Sequence, residues 1–141
     1  RFEFDWPGTQ DPTPWLCIPF ALRYMENLVD GGWPAIMEKN RSLAIKARKI
    51  ICEALGTTPP TPESMVSSLA AVEFPWEGEI ITPGMEGDPI HNLLYDDYKI
   101  QVPVMAWTHH GAKYIRISAQ LYNHEDEYVY LGKALKEILG D

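Results

Sequence analysis

The stretch YKIQVPVMAWTHHGAKYIRIS, residues 98–118, reads as two strands joined by a turn. In its second half Ile115 and Ile117 alternate with Tyr114, Arg116 and Ser118, the period of two that marks a half-buried strand. The first half is extended by the same reasoning, with Pro103 pointing to a sheet edge or a bulge. THHGAK, residues 108–113, supplies the turn. A hairpin of this kind commits the chain to an antiparallel sheet. Immediately downstream, Asn123 is expected to cap a closing helix. The first turn of that helix holds Glu125, Asp126 and Glu127, where the helix dipole favours anions. Its apolar stripe is Leu131, Ala134, Leu135 and Ile138.

Upstream, Asp88 and Pro89 open a short helix to about Tyr98, with Ile90, Leu93 and Leu94 facing inward. Residues 75–89, rich in Gly, Pro and acidic groups, form a surface loop. MVSSLAAVEFP, residues 65–75, is expected as a strand despite its paired alanines. Before it, residues 33–55 carry Ile36, Asn40, Leu43, Ala44, Ala47, Ile50, Ile51 and Ala54 at helical spacing, and Gly56 ends the helix. An earlier helix, about 14–28, starts with Thr13 as cap and Pro14 as first residue, and Pro19 should kink it. RFEFDW, residues 1–6, alternates aromatic and charged side chains and reads as a short strand. The expected fold is α+β in two layers: a mostly antiparallel sheet of three or four strands covered by helices.

The 141 residues, 45% of them hydrophobic, suit one compact domain. A net charge of -8 argues against nucleic acid, whose phosphates need clustered Lys and Arg. The densest basic group, Lys46, Arg48 and Lys49, reads as the solvated face of a helix. No apolar run nears the roughly 20 residues that span a bilayer, so no membrane association is expected. Cys17 and Cys52 lie in separate helices with no Cys/His cluster. Buried free thiols and a cytoplasmic location are expected, and no metal site. The chain opens on Arg1 rather than Met, directly in a patterned segment, and its natural start is expected to be missing.

Three places could carry chemistry. Arg116 puts a guanidinium, whose planar fork fits a carboxylate, between apolar strand positions. Its partner is either one of the 20 acidic side chains of this chain or a ligand. Thr9, following Gly8 in a turn near a helix start, either donates to a phosphate oxygen or is an ordinary turn residue. His109 and His110 are adjacent, so on an extended chain they point apart and would not share one metal.

FDWPGTQDPTPWLCIPFAL, residues 4–22, together with RISAQLYN, residues 116–123, resembles the C-terminal part of class V aminotransferase-like enzymes, fold type I proteins that use pyridoxal phosphate (PLP). Within that family the likeness is to the isopenicillin N epimerase-like branch, and LYDDYKIQVPVMAW, residues 94–107, resembles that branch as well. The resemblance implies that Arg116 holds the α-carboxylate of an amino-acid substrate. It implies that Thr9, with the Gly8 backbone, reaches across a homodimer to the PLP phosphate of the other subunit. Gln120 and Trp107 would line the substrate pocket. Residues 1–31 would then be a strand, turn and linking helix from the edge of a large domain, and residues 32–141 the small C-terminal domain.

The departures from the family matter equally. Its cofactor-bearing lysine lies in an HK-type motif, which has no counterpart here. No catalytic residue is therefore expected in this chain, which alone should be inactive and should not hold PLP tightly. The family's cysteine desulfurases use a thiolate just before the arginine strand, whereas no cysteine follows Cys52. Epimerase or C–S lyase chemistry is the leading expectation. An aminotransferase proper, or a non-catalytic dimerisation or anion-binding module, is the alternative.

Overall fold

The computed structural model of the protein describes residues 8–80 and 87–140. Two compact units divide the chain, residues 1–36 and 37–141. Helix α1 (Thr13–Glu26) belongs to the first, and the long α2 (Gly32–Leu55) begins there and continues into the second. The second unit then contains β1 (Leu69–Phe74), α3 (Pro89–Asp96), β2 (Val104–Trp107), β3 (Ala112–Ser118) and α4 (Glu125–Leu139). The three strands form an antiparallel sheet in the order β1-β3-β2. The fold is α+β, as the alternation of Ile115 and Ile117 requires.

Pleating decides which side of the sheet is wet. Ala70, Val72 and Phe74 of β1 and Ile115 and Ile117 of β3 are buried, while Leu69, Glu73, Arg116 and Ser118 are exposed. The buried side packs with Ala44, Ala47 and Ile51 of α2, Ile90 and Leu94 of α3, and Leu131 and Leu135 of α4 in one core. Each fully buried Leu, Ile or Phe contributes about 1.5–3 kcal/mol. Among the described residues no helix of this unit buries the opposite face of the sheet, where Arg116 stands on the central strand.

Several sequence expectations are corrected. The strand of residues 65–75 shortens to Leu69–Phe74, because Glu63–Met65 winds into a 3-10 turn. The ten-residue strand at 98–107 shortens to Val104–Trp107, since Pro103 has no N–H to give the ladder. The chain before it bonds to α3 instead: the Ile100 amide donates to the Leu94 carbonyl, and His91 Nδ1 lies 2.7 Å from the Val102 carbonyl. Thr13 is the first residue of α1 rather than its cap; the Asp11 carboxylate accepts from both its amide and its hydroxyl. Those two bonds hold the Asp11 carboxyl below its ordinary pKa. Asn123 does not cap α4 either. His124 is the N-cap, and Asn123 closes the preceding turn by accepting from the Gln120 amide. Leu93 is exposed rather than inward, and of the two free thiols expected to be buried, Cys52 is buried and Cys17 exposed.

Arg48 leaves the solvated face to which its neighbours Lys46 and Lys49 keep. It is buried, and its guanidinium donates to the Thr61 carbonyl at 2.8 Å, tying α2 to the proline-rich loop. Lys113, expected in a turn, is in β3 and in phase with Ile115 and Ile117, so it points inward. Its ammonium meets the buried Asp88 carboxylate at 2.7 Å. Asp88 also accepts from the Ile90 amide at 2.9 Å, so one side chain caps α3 and neutralises β3. The strand read in residues 1–6 lies outside the described residues.

Candidate functional site

Arg116 faces away from the core. It sits opposite Ala71 of β1 and is exposed, so the cost of burying a charge does not arise. Among the described residues its guanidinium has no carboxylate or other hydrogen-bond partner. An internal salt bridge, one of the two readings open from spacing, is absent there. The charge that is buried and internally paired in β3 is Lys113, three positions earlier.

Arg116 lines an open cleft of about 430 Å³, together with Lys99, Ser118, Tyr122, Glu127 and Tyr130 among others. Its volume falls in the range of small-molecule sites, about 300–1,000 Å³. Two cationic side chains and exposed tyrosines suit an anionic ligand with an apolar part. The one carboxylate lining the cleft, Glu127, is committed elsewhere: its Oε2 accepts from Asn123 Nδ2 at 2.9 Å and from the His124 amide at 3.3 Å. The walls are fixed by Tyr128, whose hydroxyl donates to the Ser118 carbonyl at 2.7 Å, and whose pKa burial pushes up. Sequence reasoning missed Lys99, Tyr122 and Glu127 as neighbours of Arg116. Lys99 has one local oddity, a left-handed backbone at φ 59°, but composition does not announce it.

The remaining expected site residues are placed differently. Gln120 is half-buried and its side-chain oxygen accepts from Asn40 Nδ2 and from the Leu121 amide, both at 2.9 Å. That oxygen ties the loop after β3 to α2, and Gln120 is outside the lining of the cleft. Trp107 ends β2 on the same sheet face as Arg116, exposed, with its ring edge-on to Tyr114 and His110. It too lies outside the cleft lining. His109 and His110 are in a 3-10 turn, and no group of three or more His, Cys, Asp or Glu among the described residues could hold a metal. No helix among them is long and apolar enough to cross a membrane.

Gly8 and Thr9 belong to the first unit and are exposed. Gly8 has φ +82°, a left-handed turn conformation that glycine adopts without strain. The Thr9 hydroxyl forms no hydrogen bond among the described residues. The amide at the start of α1 is already taken by Asp11, so an anion at this turn would meet Gly8 and Thr9 rather than the helix end.

No family model matches the chain. It is 31% identical over 131 residues to isopenicillin N epimerase of Amycolatopsis lactamdurans, covering 93% of this chain and 30% of that protein. It is 28% identical over 154 residues to L-cysteine desulfhydrase of Arabidopsis thaliana, covering 99% of this chain and 33% of that protein. Putative L-cysteine desulfhydrase 1 of Oryza sativa subsp. japonica is 28% identical over 157 residues, with 31% of its length covered. The chain spans about a third of the length of the curated relatives it matches. Along almost all of its own length, the chain is similar to isopenicillin N epimerases and L-cysteine desulfhydrases.

Proposed function

We propose that this chain is the C-terminal part of a PLP-dependent, class V aminotransferase-like enzyme that acts on amino-acid substrates by epimerisation or C–S bond cleavage. The observation that carries it is the Arg116 guanidinium, unpaired among the described residues and lining an open cleft. The similarity to epimerases and desulfhydrases supports the reaction class. The absence of any cysteine after Cys52 weighs against a persulfide mechanism before the arginine strand.

The residues present fit one part of PLP, its phosphate. Gly8 leaves open space, with nothing within 4 Å of where a Cβ would stand, and Thr9 offers a hydroxyl free of bonds among the described residues. They do not supply the lysine that would carry the cofactor: Lys113, the buried one, is spent on Asp88. That lysine would come from another part of the longer protein, and the phosphate contact would be made across a homodimer. PLP, when bound, supplies the electron sink that stabilises negative charge at the substrate's Cα. Arg116 grips the substrate carboxylate with two parallel hydrogen bonds and so fixes the orientation of the Cα bonds. Tyr122 and Tyr130 offer apolar surface to the remainder of the substrate.

The test is made in the full-length enzyme. Arg116→Ala should raise KM and lower kcat/KM, a loss of about 2–5 kcal/mol. Arg116→Lys should recover part of it, because a point charge replaces the fork. Thr9→Ala should speed PLP dissociation while leaving KM for the amino acid in place. An unchanged KM in Arg116→Ala would return the arginine to a surface role.

A further inference from the structure

The edge of β3 is open where β2 stops. In an antiparallel ladder successive residues of a strand bond alternately to its two neighbours. The Ala119 amide donates to Ser68 on the β1 side, and the Arg116 amide donates to Pro103 on the β2 side. Even-numbered residues of β3 therefore address β2. Pro103 has no N–H to return to the Arg116 carbonyl. Residue 101, which would take the Ser118 amide if β2 continued, has left with the segment that bonds to α3. The Arg116 C=O and the Ser118 N–H thus have no hydrogen-bond partner among the described residues. Both residues line the 430 Å³ cleft, as does Ile117 between them.

This pair has a specific complement. In parallel pairing, the C=O of one residue and the N–H of the residue two further on bond to the N–H and C=O of a single opposing residue. Arg116 C=O and Ser118 N–H, flanking Ile117, present that arrangement. The slot is one residue long. On one side β2 and Pro103 occupy the edge. On the other the Ser118 carbonyl is already bonded to the Tyr128 hydroxyl. A residue with an acylated nitrogen and a following carbonyl satisfies both groups without bringing a charge to the strand edge.

We propose that the cleft at the open edge of β3 binds one extended residue of a peptide or N-acyl amino acid through a parallel β-bridge opposite Ile117. Recognition is by main chain, as when a peptide adds to a sheet edge. The slot is a substrate subsite only if the proposed function holds, and it then takes a second, amide-linked residue of a substrate whose reacting residue keeps its free amine.

The test uses the isotopically labelled chain and two uncharged probes, N-acetylglycine methylamide and N-acetylsarcosine methylamide, titrated by amide NMR. The glycine probe should shift the Ser118 amide saturably. The sarcosine probe, lacking the N–H that meets the Arg116 carbonyl, should bind about tenfold more weakly, one hydrogen bond lost. Ser118→Ala, which keeps the amide, should bind the glycine probe unchanged. Ser118→Pro, which deletes it, should not bind. Equal binding of the two probes, or no saturable shift at Ser118, overturns the proposal. Neither probe has a carboxylate, so the outcome is independent of whether the Arg116 side chain holds one.

Discussion

At the scale of single residues, β3 separates two cations that a sequence treats alike. Alternation placed Arg116 on the side opposite Ile115 and Ile117, and that was legible. The same alternation places Lys113 inward, but a lysine in apolar phase next to a glycine turn reads as part of the turn. Its reason for being there, Asp88, lies 25 residues away and is visible only in three dimensions. The buried pair is 4% and 3% exposed, so removing one partner strands a charge. Asp88→Asn keeps a good cap for α3 but leaves Lys113 without its counter-charge. It should cost about 3–5 kcal/mol, read from urea unfolding. Asp88→Asn combined with Lys113→Met should recover most of the loss, because no charge then remains buried. Strictly additive costs would show that the two side chains do not depend on each other.

At the scale of elements, the helices and the hairpin were readable from apolar periodicity, while their ends were not. Thr13 and Asn123 are each good caps by type, yet Asp11 takes the amide at the start of α1 and His124 begins α4. A neighbouring residue takes the capping place in each case, and propensity does not rank such close candidates. β2 illustrates the larger failure: its apolar run continues to Ile100, but Pro103 and the bonds to α3 draw the segment off the sheet. The elements are clamped by groups whose titration gives a direction. Burial raises the Cys52 thiol of α2 from 9.0, and burial raises Tyr128 of α4 from 10.0. Tyr98 is raised from 10.0, chiefly because its hydroxyl donates to Glu137. In each case the folded state holds its proton longer than the unfolded chain does. Their stabilisation is therefore fully present below the ordinary values and is lost as pH rises past 9.0 toward the raised ones. Unfolding free energy should fall above that point. Tyr128→Phe should flatten the fall; an identical slope in that variant would remove Tyr128 from the account.

At the scale of the whole molecule, one element does not behave as part of a finished surface. α1 has no buried residue, and Trp15, Leu16, Phe20 and Tyr24 are 71%, 65%, 69% and 67% exposed. At about 100° per residue, Trp15, Ile18 and Leu22 fall on one side of the helix, and Leu16, Phe20 and Tyr24 nearly opposite. A helix that is apolar on both sides belongs to an interior, and the described residues of the first unit do not provide one. Sequence periodicity could not show this, because an all-round apolar helix looks like any buried helix until its neighbours are known. In isolation the chain should bind an apolar dye and associate as concentration rises, measured by fluorescence and sedimentation velocity. Because the two stripes face apart, Trp15→Gln and Phe20→Gln should each remove part of the effect and the pair most of it. Met65→Gln, at an exposed methionine outside α1, should leave it unchanged. A chain that stays monomeric and dye-free would mean that α1 is covered in solution by residues of its own.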